Sequence, residues 1–163
     1  MKRAVVEIIN GEFRHIIEKR EGYKILYNDD KTIRKESNIQ PILRFLSPLM
    51  ETFGLSLERE VETGRGPVDF KCSGISYKTH IELKLSSGSW EKGLKNQLRQ
   101  YMESDKVNEG IYIVIWYGET KEETWEKRKE KLMLISEDTK KELNYNIELI
   151  FVNARVPTSA SKS

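Results

Sequence analysis

The chain has 163 residues, a formal net charge of +2 and a sequence pI near 8.5. This length is typical of one folded domain, and this charge excludes a polycation that would bind nucleic acid through its overall field alone. The single cysteine excludes an internal disulfide, and no apolar run approaches the roughly 20 residues of a membrane span. We therefore expect a cytoplasmic protein without a membrane partner.

The first 35 residues carry two conflicting signals. Their apolar residues recur at helical spacing, but Asn10-Gly11 interrupts the run with a dipeptide typical of a hairpin turn. The apolar positions are Val5, Ile8, Ile9, Phe13, Ile16 and Ile17. We predict an N-terminal extension over residues 1–35, helical or hairpin, whose apolar side is a candidate homodimer interface. Residues 23–27 within it predict a short strand.

The main domain is predicted over residues 36–155, followed by a small, polar, flexible tail at residues 156–163. The apolar stripe over residues 39–53 predicts a helix that Pro48 bends. Residues 57–61 alternate with acids at every second position, which predicts the first strand.

A hairpin is the clearest pattern in the sequence. Apolar residues stand at every second position of residues 68–72 and again of residues 77–85, so each segment predicts a strand with one apolar face. If the chain turns at Ile75 and Ser76, Asp69 lies opposite Glu82 on the polar face. The two side chains would then be roughly 5 Å apart.

Paired carboxylates in this position point to a metal site. Two close carboxylates repel each other unless a cation lies between them or one of them binds a proton. Oxygen ligands favour Mg²⁺ or Mn²⁺, whereas zinc prefers the Cys and His ligands that this chain scarcely has. We predict a Mg²⁺ site at Asp69 and Glu82, with Lys84 beside it. This set suits phosphodiester hydrolysis by a metal-activated water.

The second half of the domain reads as helix and strand in alternation. Residues 90–104 predict a helix, and the apolar run within residues 110–118 predicts a strand buried on both faces. Two further helices are predicted over residues 121–131 and 136–143, with residues 132–135 either closing the first or starting a short strand. Residues 147–152 predict a last strand.

The acids and the lysine lie in a recognisable motif. Pro67-Val68-Asp69, followed after twelve residues by Glu82-Leu83-Lys84, resembles the signature of the PD-(D/E)XK nuclease superfamily. The resemblance implies an α/β fold with a mixed central sheet flanked by helices, the restriction endonuclease-like αβββαβ core. It also implies metal ligation by Asp69, Glu82 and the main-chain carbonyl of Leu83, with Lys84 at the attacking water.

Two more segments resemble this superfamily. Glu36, followed four residues later by Gln40, resembles the helix glutamate that reaches the metal in many of these nucleases; a solvated acid near a helix N-terminus is the alternative. Gln97 and Tyr101 resemble the glutamine and tyrosine motif of the RecB and lambda-exonuclease branch, where the pair supports the active site and the substrate phosphate. Ordinary packing is the alternative for that pair.

Basic residues on two elements are candidate nucleic-acid contacts. Lys92, Lys95 and Arg99 share another face of the predicted helix, and Arg65 lies in a glycine turn. A solvated surface is the alternative for all four.

The leading hypothesis is a Mg²⁺-dependent nuclease that hydrolyses phosphodiester bonds of DNA and leaves 5′-phosphate ends, with Mn²⁺ able to substitute. Its partners would be nucleic acid and either a second copy of the chain or a larger nuclease assembly. The alternative is a catalytically silent module of the same fold that binds nucleic acid or a protein. RNA as the substrate, and endonucleolytic or exonucleolytic cutting, both stay open.

Overall fold

The predicted hairpin lies at the centre of a five-stranded mixed sheet. The computed structural model describes residues 2–62 and 67–157, without the side chains of residues 60–62, 67 and 68. The strands follow the order β1-β2-β3-β4-β5, with β1 to β3 antiparallel and β4 and β5 parallel to β3. They are β1 (Ser56–Glu62), β2 (Pro67–Gly74), β3 (Tyr77–Leu85), β4 (Glu109–Trp116) and β5 (Asn146–Asn153).

The hairpin register agrees with the alternation in the sequence. Phe70 pairs with Ile81 and Gly74 pairs with Tyr77, so the turn falls at Ile75 and Ser76 as predicted. This register directs the apolar side chains of both strands into one core, and a shift of one residue would turn them away from it.

Helices cover both faces of the sheet. The α-helices are α1 (Lys2–Ile8), α2 (His15–Lys19), α3 (Glu36–Leu43), α4 (Ser47–Thr52), α5 (Trp90–Lys92), α6 (Arg99–Ser104) and α7 (Glu122–Leu143). Two π-helical segments, Ile9–Arg14 and Gly93–Leu98, make α1–α2 and α5–α6 continuous, and 3-10 segments occupy Gly22–Leu26 and Arg44–Leu46. One core lies between the sheet and α1–α4, and the second lies between the sheet and α5–α7.

The N-terminal segment is helical, and Asn10-Gly11 is accommodated in its π-helical stretch. Its apolar residues Val5, Ile9 and Ile17 are buried in the same core as the strands. Burial of this face outweighs the local hairpin preference. The prediction that the apolar side serves as a homodimer interface is therefore wrong, because the chain itself covers that side.

Two other predicted elements differ from the structure. The predicted strand over residues 23–27 is the 3-10 segment Gly22–Leu26, with one isolated pairing between Tyr27 and Ile33. Where two helices were predicted, α7 is continuous: Leu132 is buried in the core, and Ser136 donates to the carbonyl of Ile147 instead of capping a helix. In both elements, tertiary packing outweighs the local preference on which the prediction was based.

The predicted mixed α/β architecture is confirmed. Helices α3 and α4, strands β1 to β3, the helical segment of residues 90–104 and strand β4 follow one another along the chain, and α7 and β5 complete the sheet. Within the described ranges, no helix combines the length and the apolar character needed to cross a bilayer.

The aromatic centre of the second core generates a stability prediction. Trp125 on α7 is 4% exposed, stacks on Trp116 at 5.6 Å between ring centroids and meets Phe151 edge-on at 5.7 Å. We expect Trp125→Ala to lower the free energy of unfolding by about 3–5 kcal/mol in urea denaturation. Leu134→Ala, on the same helix but exposed, should change it by less than about 0.5 kcal/mol. Equal effects would contradict this packing.

Candidate active site on strand β3

Two carboxylates complete the hydrogen bonding of β3 beyond the point where β2 stops pairing with it. The pairing of β2 with β3 ends at Phe70 and Ile81. Beyond that point the Leu83 N–H donates to Asp69 Oδ2 at 2.8 Å, and the Leu85 N–H donates to Glu36 Oε2 at 3.1 Å. Side chains therefore replace the backbone acceptors that β2 would have supplied if it had continued to pair with β3.

Helix α3 contributes two polar side chains to this place. Glu36 lies in its first turn, and Gln40 follows one turn later on the same face. The Gln40 side-chain amide donates to Asp69 Oδ1 at 2.7 Å. Both oxygens of Asp69 thus accept a hydrogen bond, which holds this carboxylate in one orientation.

Lys84 joins the third acid to this group. Its Nζ lies 2.8 Å from Glu36 Oε1 and 2.9 Å from Glu82 Oε1. We call Glu36, Asp69, Glu82 and Lys84 the carboxylate–lysine cluster. From the sequence we expected a cation or a proton to relieve the repulsion between the acids, and we favoured a divalent metal ion. In the structure, Lys84 and the donors to Asp69 already relieve part of that repulsion.

Burial determines the electrostatics of the cluster. Glu82 is 2% exposed, and its burial, followed by the nearby charge of Asp69, raises the pKa of its carboxyl to about 7. Burial also raises the pKa of Asp69, against the hydrogen bond from Leu83. For Lys84, burial lowers the pKa, but Glu82, Glu36 and Asp69 together outweigh that effect and raise it. The ammonium therefore stays charged.

One oxygen of the cluster has no hydrogen-bond partner among the described residues. Glu82 Oε2 is buried and unpaired there, although Oε1 of the same group contacts Lys84. An orphaned buried carboxylate oxygen is costly, and a hard cation satisfies it well. The donor set therefore fits Mg²⁺ or Mn²⁺. In the described residues, no three Asp, Glu, His or Cys side chains converge as a complete metal site, so backbone or water oxygens would have to supply further ligands.

The backbone of Leu83 is oriented consistently with such a role. Its N–H points to Asp69, and the N–H and C=O of one strand residue face the same side. The Leu83 carbonyl, which the resemblance implies as a metal ligand, therefore faces the side of β3 where Asp69 lies.

The helical segment over β3 lies very close to the cluster. A Cβ added to Gly93 would lie 2.3 Å from the Tyr112 hydroxyl and 3.0 Å from Lys84 Cε, so only glycine fits there without displacement. The Tyr112 hydroxyl donates to the Trp90 carbonyl at 2.6 Å and anchors the start of this segment. Tyr112 pairs with Glu82 across the β3–β4 ladder.

Gln97 and Tyr101 lie on this segment. Gln97 is half-buried, and its side-chain oxygen is buried without a hydrogen-bond partner in the described part of the chain. Tyr101 is buried. Both side chains are therefore at least partly covered, which fits the motif and ordinary packing alike, and their support of a substrate phosphate stays a prediction.

The predicted basic contacts have different surroundings. Lys92 and Lys95 are exposed, and Lys95 forms an ion pair with Glu91 at 2.8 Å. Arg99 is half-buried and, with Lys95, lines a groove between the helical segment and the end of α7. Arg65 lies outside the described residues.

Two further polar side chains are buried on the face of Glu82, His80 on β3 and Ser86 directly after it. The sequence alone indicated a strand-surface residue for His80, whereas the structure buries it completely. His80 contacts Asp105 at 3.0 Å, and Ser86 donates to Glu119, which also accepts from Arg128 at 3.1 Å. Their even numbers place them on the face of Glu82 and Lys84. In the sequence, the signal for this row is a polar residue at every second position from His80 to Ser86, and the structure buries all four of them.

The raised pKa of Glu82 predicts how stability changes with pH. The pKa of Glu82 is about 7 in the folded protein against an ordinary value near 4.5. Between these two pH values the folded state therefore keeps a proton on Glu82 that the unfolded state has lost. This stabilisation is complete below pH 4.5 and is lost as the pH rises through 7, by about 3 kcal/mol, and the raised pKa of Asp69 acts in the same direction.

Urea denaturation in EDTA between pH 4.5 and 8 measures this loss. Glu82→Gln should flatten the decline in the free energy of unfolding, whereas Glu142→Gln on the surface of α7 should preserve it. An unchanged decline in Glu82→Gln would show that another group is responsible.

Comparison with known proteins places this site within one family. A family model described as a domain of unknown function, DUF8371, matches residues 1–119. The matched region contains β1 to β4 and the entire carboxylate–lysine cluster, and it ends before α7. No curated protein and no solved structure matches the chain. Since the match covers most of the sequence, the chain belongs to the DUF8371 family.

Proposed function

We propose that this protein is a metal-dependent nuclease that hydrolyses phosphodiester bonds of DNA on a restriction endonuclease-like core. One observation carries the proposal: Glu82 presents a buried carboxylate oxygen that has no partner among the described residues, beside a second oriented carboxylate and a lysine. A purely structural acid in this position would be expected to have both oxygens paired.

The order of the elements supports the same proposal. The carboxylates come from β2, β3 and the preceding helix α3, and the helical segment that follows β3 packs over Lys84. This is the arrangement of acids and lysine that the resemblance implies for the αβββαβ core.

Each residue of the cluster has a distinct task in this proposal. Asp69 and Glu82 would hold the cation, together with the Leu83 carbonyl, and Gln40 and the Leu83 N–H keep Asp69 aligned. A bound Mg²⁺ would supply charge stabilisation at the phosphoryl group and a more acidic water. Lys84 orients the attacking water and offsets developing negative charge. Glu36 holds the ammonium of Lys84 at the site.

A substrate would reach the cluster through its partly exposed side chains. Glu36 and Asp69 are partly exposed, whereas Glu82 is covered. A phosphate would therefore approach from the side of α3 and β2. Lys92 and Lys95, exposed on the covering helical segment, are candidate contacts for flanking phosphates, as are Arg99 and Arg65.

A catalytically silent module is the second candidate, and one observation favours it. Lys84 gives Glu82 and Glu36 a counter-ion without any metal, so the cluster could serve only to connect α3 with β3. In that case nucleic acid or a protein would bind without being cut.

A plasmid-nicking assay distinguishes the two candidates. We expect the full chain to cut supercoiled DNA with Mg²⁺ or Mn²⁺ and not with EDTA, and we expect Asp69→Asn and Lys84→Met to lower the rate by about a hundredfold or more. The matched controls are Asp138→Asn and Lys127→Met, which are exposed on α7 and should retain the wild-type rate. Labelled RNA in a parallel reaction tests the other substrate.

Three outcomes would contradict the nuclease proposal. Absence of cutting with either metal on DNA and RNA would favour the silent module. Cutting that persists in EDTA would exclude metal dependence. Equal loss in the α7 controls would show that the substitutions at the cluster act without specificity.

A further inference from the structure

We propose that Lys84 competes with the divalent cation for Glu82, so that this ammonium weakens metal binding in the free protein. The inference rests on the proposed function and adds a property of the same site: the chain contains its own competitor for the metal.

The geometry places the ammonium at the acid that would bind the metal. Lys84 Nζ contacts Oε1 of Glu82 at 2.9 Å, and the unpaired Oε2 belongs to the same carboxylate. A cation at Oε2 would therefore lie within a few ångströms of the ammonium. At such a distance like charges repel strongly in a partly dehydrated site.

The lysine has little room to withdraw. Its stem packs under the covering helical segment: a Cβ on Gly93 would lie 3.0 Å from Lys84 Cε and 3.2 Å from its Cγ. Its side chain is 10% exposed. The other carboxylate in contact is Glu36, at 2.8 Å, which holds the ammonium inside the cluster. Lys84 would thus remain near the cation and oppose it.

A charge-balanced variant distinguishes the local effect of the Lys84 ammonium on metal binding from the effect of the total charge of the cluster. With all groups ionised, Glu36, Asp69, Glu82 and Lys84 sum to −2. Lys84→Met changes this charge to −3, whereas the double variant Lys84→Met/Glu36→Gln restores −2 without an ammonium. The double variant and the wild type therefore have the same formal charge in the cluster and differ in whether the Lys84 ammonium is present.

The test is direct titration with Mn²⁺ alone, with free Mn²⁺ measured by electron paramagnetic resonance. We expect Lys84→Met to bind Mn²⁺ about tenfold or more tightly than the wild type, and the double variant to remain at least about threefold tighter. Lys127→Met, which removes an exposed lysine from α7, should stay within about twofold of the wild type. Far-UV circular dichroism verifies folding, and if Lys84→Met does not fold, the charge-balanced double variant decides the test.

Wild-type or weaker affinity in the double variant would overturn the inference, because the effect in Lys84→Met would then reflect total charge. If the wild type cuts DNA with metal while this result holds, the proposed function stands and only the competition fails. If no variant binds Mn²⁺ at millimolar concentration and the wild type does not cut, the competition and the proposed function both fail.

Discussion

The hydrogen bonds from the backbone of β3 to two carboxylates are the constraint on which the site depends. Leu83 and Leu85 would leave buried N–H groups unpaired where β2 stops pairing with β3, and Asp69 and Glu36 accept those bonds. Because unpaired backbone donors are costly in a protein interior, the fold itself retains two acids at this place. The two carboxylates thus have a structural role, and the same hydrogen bonds restrain their orientation.

Burial then gives these acids unusual properties. Glu82 lies under the helical segment of residues 90–104, and Lys84 is the cation that makes its ionisation tolerable. The acids of the cluster are therefore not a solvent-exposed surface. Among the described residues, the ion pairs with Lys84 also do not satisfy every carboxylate oxygen. One carboxylate oxygen has no partner in the part of the chain that the structure describes, and it is the oxygen to which the proposed cation would bind.

The sequence predicts the local features of this site well. Alternation at period two determines the hairpin register and places Asp69, Glu82 and Lys84 together, because a one-residue shift would turn the apolar side chains away from their core. The contacts that depend on long-range packing could not be derived from spacing: the Gln40 bond to Asp69 joins residues on separate elements. For the same reason, the hairpin signal at Asn10-Gly11 misleads, since burial of the N-terminal helix against the sheet outweighs it.

The most direct test of the account is diffraction from crystals of the full chain grown with Mn²⁺, with anomalous data collected near the manganese edge. The account predicts a peak beside Glu82 Oε2, in contact with Asp69 and the Leu83 carbonyl. A map without such a peak at saturating Mn²⁺, with Lys84 still bound to Glu82, would contradict the metal site and the nuclease proposal with it.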